Sequence, residues 1–225
     1  MSRYRRPGLI LCCLLGGVAI ATLVRVSPAQ AAAWESDLRA FVESRDYVDA
    51  LGRQIDIVEQ QIAPNCIQIR EDAQREQLRV RLRPRFHPEL VWPVEGQWRE
   101  QISIDRCGTR VLHNILVTAQ RDGPPSLLSL LPGDTKASAE MQIAASEPAV
   151  TIAGAKAGIT CRTGTRDIVD TRFVTYLDGT ETLAANKRRW RENWTVRLCD
   201  QRVDVTVTFE PDGKGNYTHT VDLAN

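Results

Sequence analysis

The segment Trp190-Arg191-Glu192-Asn193-Trp194-Thr195-Val196-Arg197-Leu198-Cys199 has the alternating pattern of a β-strand and ends in a cysteine. An earlier segment, Trp98-Arg99-Glu100-Gln101-Ile102-Ser103-Ile104-Asp105-Arg106-Cys107, repeats its Trp-Arg-Glu start and its final cysteine at an offset of 92 residues. The match continues to Arg110/Arg202 and Val111/Val203. We therefore predict a duplicated unit organised around two equivalent strands.

The first 31 residues have the three parts of a secretory signal peptide. Three arginines within residues 3–6 precede an apolar run over residues 8–24, and small residues follow at Ala29 and Ala31. We predict cleavage after Ala31 and a periplasmic or secreted protein. Because 17 apolar residues are at the short limit of a membrane span, an uncleaved anchor facing the periplasm is the alternative.

The charge of the chain after residue 31 excludes a globally basic protein. The signal segment carries four arginines and no acidic residue, so the remainder has 25 basic and 28 acidic side chains, a net charge of −3. Such a balance does not favour nucleic acid as a partner. The scarcity of lysine relative to arginine is typical of a GC-rich bacterial genome.

Four cysteines remain after residue 31, and an even number in a secreted chain indicates disulfides. The duplication selects Cys66–Cys107 and Cys161–Cys199 among the three possible connectivities. No cysteine then remains as a nucleophile, and CxxC-type zinc spacing is absent from the sequence.

The order of periodic segments predicts an α+β protein of two tandem similar units, each a helix packed on a small antiparallel sheet with one internal disulfide. Helices are expected at residues 34–62, with Gly52 loosening the middle, and at 136–157, where Pro148 should kink or divide the helix. Strands are expected at residues 67–70, 78–86, 97–107, 110–120, 168–177, 190–199, 202–209 and 217–223. The predicted boundaries are residues 32–132 for the first unit and 133–225 for the second.

One strand carries a ladder of arginines. Leu78, Val80, Leu82 and Phe86 alternate with Arg79, Arg81, Arg83 and Arg85. If the first set faces inward, the four guanidinium groups line the other face about 6.6 Å apart and can grip phosphate or carboxylate groups. We predict that this ladder, with the nearby loop residue Trp92, binds an anionic envelope polymer or another envelope protein. The competing interpretation is a solvated face crossed by acidic side chains.

Glu100 and Glu192 are the candidates for catalysis, because each shares a strand face with apolar residues. A desolvated carboxylate can act as a general acid, and two can serve glycoside hydrolysis. The structural interpretation is a glutamate paired with an arginine at the strand entry. Residues His87, His113 and His219 have no metal-ligand spacing, and the sequence has no GxSxG, HExxH or phosphate loop. We predict no cofactor and no metal, and a non-enzymatic envelope protein, with a glutamate-dependent envelope hydrolase as the alternative.

Overall fold

The structure is a computed structural model that describes residues 28–66, 73–159, 166–177, 179 and 182–224. Residues 1–27 of the predicted signal peptide, the predicted strand at 67–70 and Cys161 lie outside the described residues. Among the helices of the described part, none is both long enough and apolar enough to cross a membrane.

The first unit consists of two helices and an antiparallel sheet. Its elements are α1 (Pro28–Val42), α2 (Arg45–Ile62), β1 (Gln74–Phe86), β2 (Pro93–Arg106), β3 (Thr109–Gln120) and β4 (Gly123–Leu130). The four strands are neighbours in sequence order. Short connections require antiparallel pairing of this kind. The Pro124-Pro125 pair lies inside the edge strand β4.

The second unit has one long helix and a second four-stranded sheet. Its elements are α3 (Ala139–Ala157), β5 (Arg166–Tyr176), a 3₁₀ turn (Ala185–Lys187), β6 (Trp190–Leu198), β7 (Gln201–Pro211) and β8 (Tyr217–Leu223). Its sheet is also an antiparallel meander. The predicted α+β class, with helices and antiparallel sheets, is confirmed.

The predicted helix over residues 34–62 is two helices, which corrects the sequence interpretation. The break lies at Ser44, whose ψ of 144° is extended. Its Oγ donates to the carbonyl of Phe41, and its own carbonyl accepts from the N–H of Val48 as α2 begins. Gly52 lies inside α2 and does not interrupt it. A serine that bonds local backbone favours a helix boundary over a helix interior.

Helix α3 differs from its prediction at two points. It begins at Ala139 because the Ser138 hydroxyl accepts a hydrogen bond from the N–H of Met141 and caps it. Pro148 does not divide it, and the Ser146 hydroxyl donates to the carbonyl of Gln142 within the helix. The helix ends, as predicted, at Gly158, which has a φ of 62°.

Each sheet buries one face under its own helices. In the first unit, α1 and α2 cover the fully buried Trp98 with Leu38, Leu51 and Ile55. In the second unit, the small side chains of α3 lie over two buried tryptophans and a phenylalanine: Ala145, Ala149, Ala153, Trp190, Trp194 and Phe209. Because alanine side chains are small, α3 can approach the sheet closely and leave room for the large tryptophan side chains beneath it.

The predicted Cys66–Cys107 disulfide is present, with the two Cα atoms 5.7 Å apart. It joins the segment after α2 to the turn after β2. Cys161 lies outside the described residues, so the Cys161–Cys199 bond stays a prediction.

A short linker holds the two units together. The N–H of Asp134 donates to the carbonyl of Thr171, and the carbonyl of Asp134 accepts from the N–H of Phe173 at 2.6 Å. The N–H of Gly133 donates to the carbonyl of Leu112 in the first sheet. The linker therefore bonds to a strand of each unit through its backbone.

Candidate functional site

The arginine ladder is interrupted by irregular pairing between β1 and β2. Val80 pairs with Trp98, but Leu82 pairs with Gln97, so the register shifts between them. Such an extra residue changes which face the following side chains occupy. The prediction that Leu82 faces inward is wrong, because its side chain is 59% exposed. The four arginines therefore do not form one regular row.

The two arginines beyond this irregularity have other contacts. The guanidinium of Arg83 lies over the ring of Trp34, 5.6 Å from its centroid. Arg85 forms an ion pair with Glu95, in which Nε donates to Oε2 at 3.0 Å. This pair lowers the pKa of the Glu95 carboxyl and raises that of Arg85. Part of the predicted ladder thus serves local structure.

The other two, Arg79 and Arg81, lie close to a third guanidinium. Arg79 lies directly opposite Arg99 in the antiparallel pairing of β1 with β2. Arg79 and Arg99 line a small cavity of about 50 Å³ together with Lys136, Asp134, Thr135, Gln77 and Gln101. We call this cavity the basic pocket. It lies where the first sheet meets the linker between the units.

Arg99 is the most constrained cation of the basic pocket. Its Nη2 donates to Oδ1 of Asn114 at 2.7 Å and to the carbonyl of Thr135 at 3.2 Å. Burial lowers the pKa of Arg99, and the charges of Arg79 and Arg81 lower it further. Three guanidinium groups therefore repel one another at this place, and the partners of Arg99 are neutral oxygens.

Within the described residues, Arg79, Arg81 and Arg99 form no ion pair with a carboxylate. Lys136 has a partner, since its Nζ lies 2.9 Å from Oδ1 of Asp134 and 5.1 Å from the Phe173 ring centroid. Among the charged groups at the pocket, Asp134 is negative, and the carboxylates of Glu192 and Glu140 also attract Arg99 and Arg81. The arrangement can hold an anion.

A buried carboxylate lies behind the pocket. Glu192, with no exposed surface, exerts an electrostatic attraction on Arg99. Its oxygens accept hydrogen bonds from the indole nitrogens of Trp190 and Trp194, each at 2.9 Å, and from the N–H of Lys136. Within the described part of the chain these donors are neutral and no cation is in salt-bridge contact with it.

Glu100 is closed in a different way. Arg75 donates from Nε to its Oε2 at 2.5 Å, Trp98 donates to Oε1 at 2.9 Å, and the Tyr47 hydroxyl also donates to Oε1. Burial and the adjacent charge of Glu100 raise the pKa of Tyr47. Because both glutamates have no exposed surface and hydrogen bonds to their own units, neither reaches a substrate in this arrangement. The hydrolase hypothesis therefore gains no supporting contact.

The loop residue Trp92 does not line the basic pocket. It is partly buried just before β2, and its indole nitrogen is buried with no hydrogen-bond partner within the described residues. Its proposed role as a contact residue stays a prediction.

Sequence analysis missed a buried charged network. Glu59 of α2, only 1% exposed, contacts Arg106 of β2 and His113 of β3. Although burial raises its pKa, the hydrogen bonds from His113 and Arg106 lower the Glu59 pKa to about 2. The available signal was a glutamate four residues after Ile55 on the apolar stripe of the helix. The network joins α2 to the sheet and does not line the basic pocket.

A larger cleft of about 840 Å³ lies between the units, beside the Cys66–Cys107 disulfide. Two of its arginines, Arg106 and Arg197, already pair with Glu59 and Asp167. We therefore regard it as a weaker anion site than the basic pocket. No group of metal-ligating side chains occurs in the described residues.

No protein-family model, no curated protein and no solved structure matches this chain.

Proposed function

We propose that this chain is a non-enzymatic protein of the bacterial envelope, secreted or periplasmic, that binds an anionic envelope component at the basic pocket. The observation that carries the proposal is the gathering of Arg79, Arg81 and Arg99 on one part of the sheet, where no carboxylate among the described residues forms an ion pair with them. The signal-like N-terminus supports the compartment.

The energetic argument rests on like charges. Neighbouring cations that are partly removed from water destabilise one another, since solvent screens their repulsion less. An anion placed among them relieves this repulsion and accepts hydrogen bonds from several guanidinium groups at once. The pocket is therefore prepared for a negative group before the ligand arrives.

The proposal is narrower than the ladder predicted from sequence. Arg79 and Arg81 stay in the site, while Arg99 and Lys136 are added from other segments. Arg83 and Arg85 are left out of the site, because they already contact Trp34 and Glu95.

We further propose that the two units are tandem copies. Trp98 pairs with Val117 in the first sheet, and Trp190 pairs with Phe209 at the 92-residue offset in the second. Both tryptophan indoles donate to the glutamate two residues on. Cys107 and Cys199, which follow these strands, both have positive φ.

Among its described residues, the second unit has no equivalent of the pair Arg79 and Arg99, so its arginines can serve as control positions. Arg99 is opposite Arg79, whereas its counterpart Arg191 is opposite Thr175. Arg191 and Arg202 are exposed arginines of the second unit. Substituting them changes the net charge by the same amount as substituting Arg79 and Arg81, without touching the pocket.

The test is binding of dextran sulfate and of phosphatidylglycerol vesicles, with neutral dextran and phosphatidylcholine vesicles as references. Wild type is compared with Arg79→Glu/Arg81→Glu and with the charge-matched Arg191→Glu/Arg202→Glu. The proposal expects selective loss in the pocket variant. Equal binding by both variants would assign the effect to net charge, and unchanged binding by the pocket variant would remove the pocket from the function.

A further inference from the structure

We infer that the basic pocket is a site for a terminal phosphate group, as in a phosphomonoester or inorganic phosphate, in preference to a carboxylate or a sulfate ester. This inference rests on the proposed function and names the chemical class of its ligand.

The first argument is charge. The residues that line the pocket carry three cations, Arg79, Arg99 and Lys136, against one carboxylate, Asp134. A carboxylate or a sulfate ester brings one negative charge. A phosphomonoester brings between about −1.5 and −2 at neutral pH. The dianion therefore compensates more of the local positive charge.

The second argument is the balance of donors and acceptors. Guanidinium groups and the ammonium group only donate, and a guanidinium presents a planar fork of N–H groups. The three terminal oxygens of a phosphate accept several such bonds, including bidentate pairs with arginine. Arg79 and Arg99 are directly opposite each other on neighbouring strands, so their forks can approach one group from two sides.

The third argument is size. The cavity of about 50 Å³ exceeds the roughly 10–15 Å³ needed for one water molecule by only a few times. That room suits a compact group of a few heavy atoms and leaves the rest of a ligand outside. A terminal phosphate on a lipid or a glycan fits this requirement, whereas a phosphodiester has two substituents to accommodate.

Asp134 opposes an anion and provides a test in the opposite direction. Its side chain pairs with Lys136, while its backbone bonds to the β5 strand. Asp134→Asn keeps that backbone and removes the negative charge. We expect Asp134→Asn to bind phosphate more tightly, by up to about fivefold, because interactions between partly exposed charges change affinity by no more than that.

The experiment is calorimetric titration of the purified protein with phenyl phosphate, phenyl sulfate and benzoate, which share one ring and differ in the charged group. We expect phenyl phosphate to bind about tenfold more tightly than phenyl sulfate or benzoate, because it can accept one more charge-assisted hydrogen bond. Equal affinities, or a preference for benzoate, would overturn the assignment. Arg79→Gln should abolish the preference, and Arg191→Gln should retain it.

Ionisation of the ligand gives an independent readout. The charged groups that line the pocket or act on its arginines are Arg79, Arg81, Arg99, Lys136, Asp134, Glu140 and Glu192, and none of these is a histidine. Phenyl phosphate affinity should rise between pH 5 and 7.5, because its second pKa is about 6, and phenyl sulfate affinity should not follow. A parallel change for both probes would contradict the inference.

Vesicles separate the possible sources of the phosphate. Phosphatidic acid carries a monoester, and phosphatidylglycerol carries a diester. If the protein binds both phenyl phosphate and phosphatidic acid vesicles, the source of the phosphate is a lipid head group. If it binds phenyl phosphate but not the vesicles, the source is a soluble ester. If Arg79→Glu/Arg81→Glu loses anionic vesicles while phenyl phosphate never binds, the proposed function stands and the phosphate assignment fails.

Discussion

The backbone N–H of Lys136 donates a 2.8 Å hydrogen bond to Oε1 of Glu192. Residue 136 thus connects two environments, since its ammonium group lies at the basic pocket and its N–H is bonded to a fully buried carboxylate. This bond ties the linker to the centre of the second unit. It places the pocket at a fixed position relative to both sheets.

The three neutral donors on Glu192 predict that Glu192→Gln destabilises the protein. A glutamine has one acceptor oxygen and turns an N–H₂ group toward at least one indole N–H. We expect a loss of about 1–3 kcal/mol, the cost of a buried donor without a partner. Urea unfolding followed by tryptophan fluorescence measures it. The control Glu210→Gln, at a partly exposed pair with Arg189, should stay within about 0.5 kcal/mol of wild type. Equal midpoints for all three proteins would contradict the role given to Glu192.

Gly133 predicts a strong effect of a single methyl group. Its φ is 100°, and a Cβ there would lie 2.0 Å from the carbonyl oxygen of Thr171. The matched control is Gly213, with a φ of 74° and open space around the added atom. We expect Gly213→Ala to cost about 1–2 kcal/mol through backbone strain alone. Gly133→Ala should cost about 1–3 kcal/mol more through overpacking at the linker. Thermal unfolding of the two variants provides the comparison, and similar costs would argue against tight contact between the units.

The Glu59 network predicts a pH dependence of stability. Its folded-state pKa of about 2 lies below the ordinary value of 4.5. The stabilisation is therefore complete above pH 4.5 and is lost as the pH falls toward 2. The shift corresponds to on the order of 3 kcal/mol at neutral pH. Glu59→Gln should be less stable than wild type at neutral pH, and the gap should narrow across that acid range. Denaturant unfolding at a series of pH values measures the gap, which a merely steric role of Glu59 would leave constant.

The Cys66–Cys107 bond closes a separation of 41 residues. Replacing both cysteines with serine should cost about 4 kcal/mol if the loop entropy of the unfolded chain dominates. The double variant removes this disulfide alone, whereas a reducing agent would also act on the other cysteines. Mass mapping of the unreduced protein checks the pairing at the same time. A Cys66–Cys161 peptide would contradict the predicted self-contained units.

Side-chain patterning was enough to predict most strands of the fold. The β6 segment alternates along its whole length, and the β8 prediction over residues 217–223 matches the observed strand. Alternation reports burial directly, so regular strands are readable from sequence. Polar residues before Leu78 concealed the start of β1 at Gln74, because both faces of an exposed edge strand can be polar.

The candidate site was only partly readable. The alternating pattern identifies Arg79 and Arg81, but no pattern in the sequence places Arg99 beside them. Lys136 carried no signal, since it is one lysine in a stretch read as the start of a helix. Their proximity depends on strand register and on the linker path, and neither is encoded in local spacing.

The sequence by itself determined the α+β class, because the periodic burial of side chains is a local property of each segment. The repeated Trp-to-Cys pattern was enough to predict the Cys66–Cys107 pairing. The tertiary structure decided which arginines share a surface. One irregularity between Val80 and Leu82 separates Arg83 and Arg85 from the row, and the linker brings Lys136 to Arg99 from 37 residues away. Register and chain path are long-range properties, and they place the pocket.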